Sequence, residues 1–156
     1  MRDNAVVVRL SARVRSQAGA ELVEFALVLP ILLLVLGGIV DFGLLLQRQQ
    51  VITNAAREGA RVAVLPGYCT ADVVDRVRRF VELSLPSAAA PSTEVWDDTL
   101  PAGSASVDVK RVNVTLTDRF LILGPIVSLA GGSGSFGTIA LTATTTMRVE
   151  AETSCP

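Results

Sequence analysis

The chain carries one long apolar run near its start and shorter alternating patterns later. Residues 25–46 read FALVLPILLLVLGGIVDFGLLL, in which Asp41 is the only charged residue. A helix needs roughly 20 such residues to cross the hydrocarbon core of a bilayer, so the run predicts a membrane span. A cleavable signal peptide has a shorter apolar core that ends in small residues, and we regard it as the weaker interpretation.

The helical pattern continues beyond the apolar run. One face repeats apolar side chains at helical spacing, namely Ile52, Ala56, Ala60 and Ala63. Another face carries the polar set Gln50, Asn54, Arg57 and Arg61. The first stop signal is Pro66-Gly67. We therefore predict one long helix over residues 20–65, with a membrane span at about 25–46 and an exported continuation at 47–65.

Residues 68–156 predict a small exported domain that begins with a helix and a loop. Apolar residues recur at helical spacing over 71–83, which predicts a short amphipathic helix. Three prolines and many small residues predict a Pro-rich loop at 84–104, and Trp96 would pin this loop to the domain or contact a partner.

The second half of this domain shows the alternation of β-strands. Residues 107–116 and 139–149 alternate apolar and polar positions, with a bulge or a change of face at Lys110-Arg111. The apolar stretch 120–130 between them predicts a short helix or a docking surface. The predicted fold class is α+β, with a long N-terminal transmembrane and amphipathic helix, a short helix and an antiparallel sheet.

Composition narrows the chemistry. The 156 residues include no histidine, which removes the commonest general base and the commonest metal ligand. We therefore predict no enzymatic activity, no metal and no cofactor. The two cysteines, Cys69 and Cys155, are a candidate disulfide if the exported part lies in an oxidising compartment, and two free thiols are the alternative.

Charge gives the expected orientation. Residues 1–18 carry a net charge of +3, whereas the rest of the chain carries −4. The charge pattern shows no basic patch of the kind that binds nucleic acid, so we predict no nucleic-acid partner. Four arginines before the span and three soon after it favour an N-terminus inside and an exported C-terminus.

A short motif precedes the apolar run. Gly19-Ala20, followed by Glu24-Phe25, resembles the processing site of type IV prepilins, in the variant found in Flp pilins and TadE-like pseudopilins. The later stretch NAAREGAR at 54–61 resembles the segment that follows the membrane helix in TadE-like proteins. The resemblance covers Gly19–Ala63, including Pro30 inside the helix.

The resemblance implies processing and an assembly role. Prepilin peptidase would cut after Gly19 and remove a basic leader, residues 1–19. The mature protein would be a minor pseudopilin for Flp (tight-adherence) pili, with other pilins or pseudopilins, the assembly platform and membrane lipid as partners. It would lie in the cytoplasmic membrane, with its N-terminus cytoplasmic and its C-terminal domain periplasmic or extracellular. The alternative is an uncleaved, signal-anchored exported domain that binds an envelope partner or ligand.

Several residues are candidates for contacts made during assembly. The Glu24 carboxylate would pair with the new ammonium of Ala20, or would merely mark the membrane boundary. Asp41 would reach water near the outer interface or contact a partner helix. The full set of candidate helix–helix contacts is Pro30, Gly37, Gly38, Asp41, Arg57 and Arg61.

Overall fold

The computed structural model describes residues 4–129 and 137–150. Within these two ranges the elements follow in the order α1 Asn4–Ala63, α2 Thr70–Ser84, β1 Ser92–Ala102, β2 Ala105–Arg119, α3 Leu123–Leu129 and β3 Thr138–Arg148. The strands form one antiparallel sheet in the order β1-β2-β3. The predicted α+β fold class is therefore confirmed.

The chain divides into two compact units, with the boundary inside α1 between Val40 and Asp41. The first unit is helical from Asn4, whereas we expected the long helix to begin at residue 20. Within Gly19–Ala63 the most apolar window has a mean hydropathy of 2.6, and only 6% of it is buried. This helix is long and apolar enough to cross a membrane.

The second unit packs the end of α1 and all of α2 against the sheet. Its core combines Ile52 and three alanines of α1 with valines and a leucine from α2 and β2, chiefly Ile52, Ala55, Ala56, Ala60, Val73, Val77, Val81, Val112, Val114 and Leu116. Fully burying a valine or leucine side chain stabilises a fold by about 1.5–3 kcal/mol, so these contacts dominate the stability of the unit.

The region 84–104 is not a loop throughout, and that prediction is wrong for Ser92–Ala102, which form β1. Three acidic residues and Pro101 make this stretch resemble a loop in the sequence. Because β1 is an edge strand, these residues are tolerated there, and charge on an edge also discourages pairing with other chains. Gly103 takes a φ of +66°, which the tight hairpin turn into β2 requires.

Strand β2 changes its buried face without a bulge. Val109 and Val112 are both buried although they point to opposite sides of the sheet. The pairing of β2 with β1 runs without an inserted residue through Lys110 and Arg111. Of the two alternatives, the structure therefore supports a change of face. Trp96 lies opposite Arg111 in this ladder, on β1 rather than in a loop.

Candidate functional site

The most unusual side chain of the second unit is Asp41, which is only 2% exposed. Its Oδ1 accepts hydrogen bonds from the backbone N–H groups of Leu121 (3.0 Å) and Ile122 (3.1 Å). Its Oδ2 accepts from Ile122 (3.1 Å) and Leu123 (2.8 Å). One carboxylate on α1 therefore satisfies three consecutive backbone donors at the start of α3, where a helix leaves such donors unpaired.

This geometry corrects the expectation that the Asp41 carboxylate reaches water, because the side chain is buried. Its partners are backbone groups of the same chain. A contact of Asp41 with a partner helix remains an untested prediction.

Two further contacts join α1 to the same end of the sheet. Arg48, just after the apolar run, forms an ion pair with Asp118, and the two side chains are 23% and 14% exposed. The amide Nε2 of Gln49 donates to the carbonyl oxygen of Thr142 at 3.0 Å. Because this ion pair is partly shielded from water, it is screened less than an exposed one. We call the contacts of Asp41, Arg48 and Gln49 the junction.

The face of α1 that points away from this core is polar and exposed, and it carries Gln50, Asn54, Arg57 and Arg61. Within residues 4–129 and 137–150, neither Arg57 nor Arg61 takes part in an ion pair. The two arginines are thus placed on one accessible stripe, as the sequence predicted. Their proposed contacts with another helix are not tested by the fold.

The opposite face of α1 carries a close approach that the sequence analysis missed. A Cβ placed on Gly59 would lie 2.6 Å from Cγ2 of Val77 and 3.3 Å from Cγ1 of Val112. Only glycine leaves room for α2 and β2 at this position. The sequence signal that could have indicated this contact is that Gly59 stands among the small residues that recur on this face of α1.

The residues of the predicted processing site lie on α1 in the first unit. Gly19, Ala20 and Glu24 are exposed, and Phe25 is 60% exposed. Apart from its chain neighbours and the adjacent backbone of its own helix, no atom of the described residues lies within 4 Å of a Cβ placed on Gly19. Farther along the helix, Pro30 is exposed, Gly38 is partly buried and Gly37 is buried.

Charged side chains cluster where α1 ends and α2 begins. A cleft of about 410 Å³ lies here, and Arg76 on its wall pairs with Glu58 at 2.6 Å. On α2 the hydrogen bond from Arg78, with the positive charge of Arg79, lowers the pKa of Asp75 below its ordinary value of 3.8. Among the residues that the structure describes, no group of three or more His, Cys, Asp or Glu side chains is placed to hold a metal ion.

Cys69 lies directly before α2. Cys155 lies outside the described residues. The pairing of these two cysteines therefore stays a prediction. The Cys69 backbone N–H also donates to the Asp72 carboxylate at 2.8 Å, which fixes the start of the helix.

The partners of the junction were also missed from the sequence. Asp118 and the amides of Leu121–Leu123 come about 70–80 residues after their partners on α1, and no local pattern marks such pairs. The one available signal was the apolar stretch after Arg119, which had indicated either a helix or a docking surface.

Comparison with known proteins identifies the N-terminal part of the chain. The family model described as TadE-like protein matches residues 19–61. The matched range begins at the glycine of the motif and ends at the last arginine of the exposed stripe. Neither a search of curated proteins nor one of solved structures gave a significant match. Residues 19–61 are therefore similar to TadE-like proteins, and the family resemblance drawn from the sequence is confirmed for this segment, which we call the TadE-like segment.

Proposed function

We propose that this protein is a minor pseudopilin-like membrane component for the assembly of Flp (tight-adherence) pili. The observation that carries the proposal is the TadE-like match over residues 19–61, which begins at the glycine of the processing motif. The family suggests involvement in Tad/Flp pilus systems, and the apolar helix supports anchoring in a membrane. The protein would have no catalytic activity or cofactor of its own.

Maturation would consist of one cut between Gly19 and Ala20 by prepilin peptidase. The exposure of both residues supports access to the scissile bond. Cleavage would create an ammonium group at Ala20, one helical turn from the Glu24 carboxylate. In a bundle of apolar helices neither charge is stable unpaired, so Glu24 would bind the amine of its own chain or of a neighbouring subunit.

Assembly would then use the exposed stripe of α1. Arg57 and Arg61 are accessible at the end of the TadE-like segment, and their guanidinium groups suit carboxylates or helix C-termini of another subunit. The core face of the same helix is already occupied by the protein's own α2 and sheet. The partners would be other pilins or pseudopilins and the assembly platform, with the C-terminal domain periplasmic or extracellular.

The processing step is tested by the intact mass of protein extracted from membranes of cells with an active prepilin peptidase. We expect the loss of residues 1–19 and a new N-terminus at Ala20. Gly19→Ala should accumulate uncut, and because no atom lies near its Cβ, misfolding would not explain that result. Gly43→Ala is the matched control, since it is equally unobstructed. A full-length wild-type chain would instead support an uncleaved, anchored domain.

The assembly role is tested by charge reversal on the stripe. The double variant Arg57→Glu/Arg61→Glu should be processed normally but should lower the number of pili on the cell surface. Arg148→Glu is the control, because Arg148 is also exposed but lies outside the TadE-like match. Unchanged piliation in the stripe variant would remove this surface from the proposal.

A further inference from the structure

We propose that the segment from Phe120 to Ile126 is a second membrane-contacting element, which lies in the lipid–water interface on the exported side. It would sit beside the point where α1 leaves the bilayer. The first argument is depth. Asp41, which binds this segment, lies five residues before the end of the apolar run at Leu46. At 1.5 Å per residue, that is about 8 Å below the end of the run along the helix axis.

The charged residues agree with this depth. Arg48 follows the apolar run of α1, and Asp118 and Arg119 precede the apolar segment. Arg48 and Asp118 are bonded to each other, so charge begins at the same level on both parts of the chain. Beyond Arg119, residues 120–147 contain no Asp, Glu, Lys or Arg. The segment therefore continues the apolar zone of the span rather than interrupting it.

The exposed side chains are of the kind that lipid solvates. Leu121 is 65% exposed and Ile126 is 41% exposed, although both are large and apolar. In the same unit, Phe42 and Leu46 on α1 are 63% and 51% exposed. Clustered exposed apolar side chains mark a binding surface, and here both parts of the chain that meet at Asp41 carry such side chains. Because this place adjoins the predicted span, the occupant that the geometry favours is the acyl-chain boundary of the outer leaflet.

The backbone provides the strongest argument. An unpaired N–H group in hydrocarbon costs several kcal/mol, so irregular backbone survives at membrane depth only where the protein satisfies it. The Phe120 N–H donates to the Gly137 carbonyl oxygen at 3.0 Å, and the next three N–H groups donate to Asp41. Four consecutive donors thus need no water. This explains why a carboxylate is kept within the apolar run.

Depth-dependent quenching tests this inference. In a Trp96→Phe background, single tryptophans are placed by Leu121→Trp, Ile126→Trp and Phe42→Trp, and the full protein is reconstituted into phosphatidylcholine vesicles with or without lipids brominated on their acyl chains. Leu65→Trp is the matched control. It replaces another exposed leucine in the same unit, which lies just after the end of α1 at Ala63, about 33 Å farther along the helix axis than Asp41.

We expect brominated lipid to lower the fluorescence of the probes at 121 and 126 nearly as much as that of the Phe42→Trp probe, and to leave the probe at 65 almost unchanged. Quenching at 121 and 126 no greater than at 65 would overturn the proposal. Neither result depends on cleavage after Gly19 or on pili, so this inference and the proposed function can fail separately.

A second measurement uses the unaltered protein and does not depend on whether a variant folds. Photoactivatable lipid is cross-linked to the protein in vesicles, and the adducts are located after trypsin digestion. Trypsin cuts after Arg119 and Arg148, so the segment is recovered on one peptide. We expect lipid adducts on it and on the peptide ending at Arg48. Adducts on the latter alone, or cross-links from the former to another protein copy instead of lipid, would overturn the inference.

Discussion

Replacing Asp41 by asparagine tests whether one carboxylate holds the start of α3. The substitution keeps the size of the side chain but replaces one acceptor oxygen by an NH₂ donor. Both oxygens are used in the structure, and Ile122 donates to each of them. Whichever way the amide is turned, at least one of Leu121 and Leu123 loses its acceptor and faces another donor.

The size of the effect follows from these bonds. A hydrogen bond to a charged group contributes about 1.5–3 kcal/mol, and an unsatisfied buried donor costs about 1–3 kcal/mol. We therefore expect Asp41→Asn to destabilise the local structure by about 2–5 kcal/mol. Because every 1.4 kcal/mol is tenfold in an equilibrium constant, the lower bound corresponds to roughly 30-fold more opening.

We would measure this local opening at the start of α3 by hydrogen exchange and mass spectrometry, on the full protein in detergent. The amides of Leu121–Leu123 should exchange at least about 30-fold faster in Asp41→Asn than in the wild type. Amides of the sheet centre, such as that of Val114, should change less. Asp97→Asn is the control, because Asp97 is 78% exposed and pairs with Lys110, and such surface pairs contribute about 0–1 kcal/mol.

Equal exchange at these amides in the wild type and in Asp41→Asn would refute the reasoning. It would mean that water or another group satisfies the donors at no cost. An equal acceleration in Asp97→Asn would also contradict it, because the effect would then reflect general loss of net charge.

Three other predictions follow from the packing and charge of the second unit. Gly59→Ala should destabilise the unit in thermal unfolding by about 1–3 kcal/mol, because the added methyl group overpacks against Val77. In a Val77→Ala background the same substitution should instead stabilise the unit, because alanine favours the helix over glycine by about 1 kcal/mol. Leu116→Ala, at a fully buried site, should cost about 2–5 kcal/mol in denaturant unfolding, and a cost below that of a surface change would contradict its place in the core. Since the hydrogen bond from Arg78 lowers the pKa of Asp75, its contribution is present at neutral pH and is lost as pH falls below 3.8; the stability difference between the wild type and Asp75→Asn should therefore vanish in acid.

The elements with strong local patterns were predictable. Composition and periodicity over a few residues predict the apolar run, the end of α1 at Ala63 and the helix over Thr70–Ser84. Strand β1 was missed because its three acidic residues and Pro101 resemble a loop. They are compatible with a strand only because β1 is at an edge of the sheet, and strand order is not a local property.

Some features of the candidate site were also predictable from the sequence, and others were not. The exposed polar stripe with Arg57 and Arg61 could be read from helical spacing alone, and the structure places both side chains on the surface. The face opposite the stripe was predicted to be apolar. The close approach at Gly59 was not, because it depends on where α2 and β2 cross this helix.

The sequence by itself determined that this chain has a membrane-length helix with a TadE-like motif at its start, because hydropathy and motif spacing are linear properties. Only the tertiary structure decided what Asp41 does. A carboxylate inside an apolar run is costly wherever it lies, and its partners are backbone groups some 80 residues away, which carry no side-chain signature. Folding brings these donors to the carboxylate, and their hydrogen bonds offset the cost of burying it.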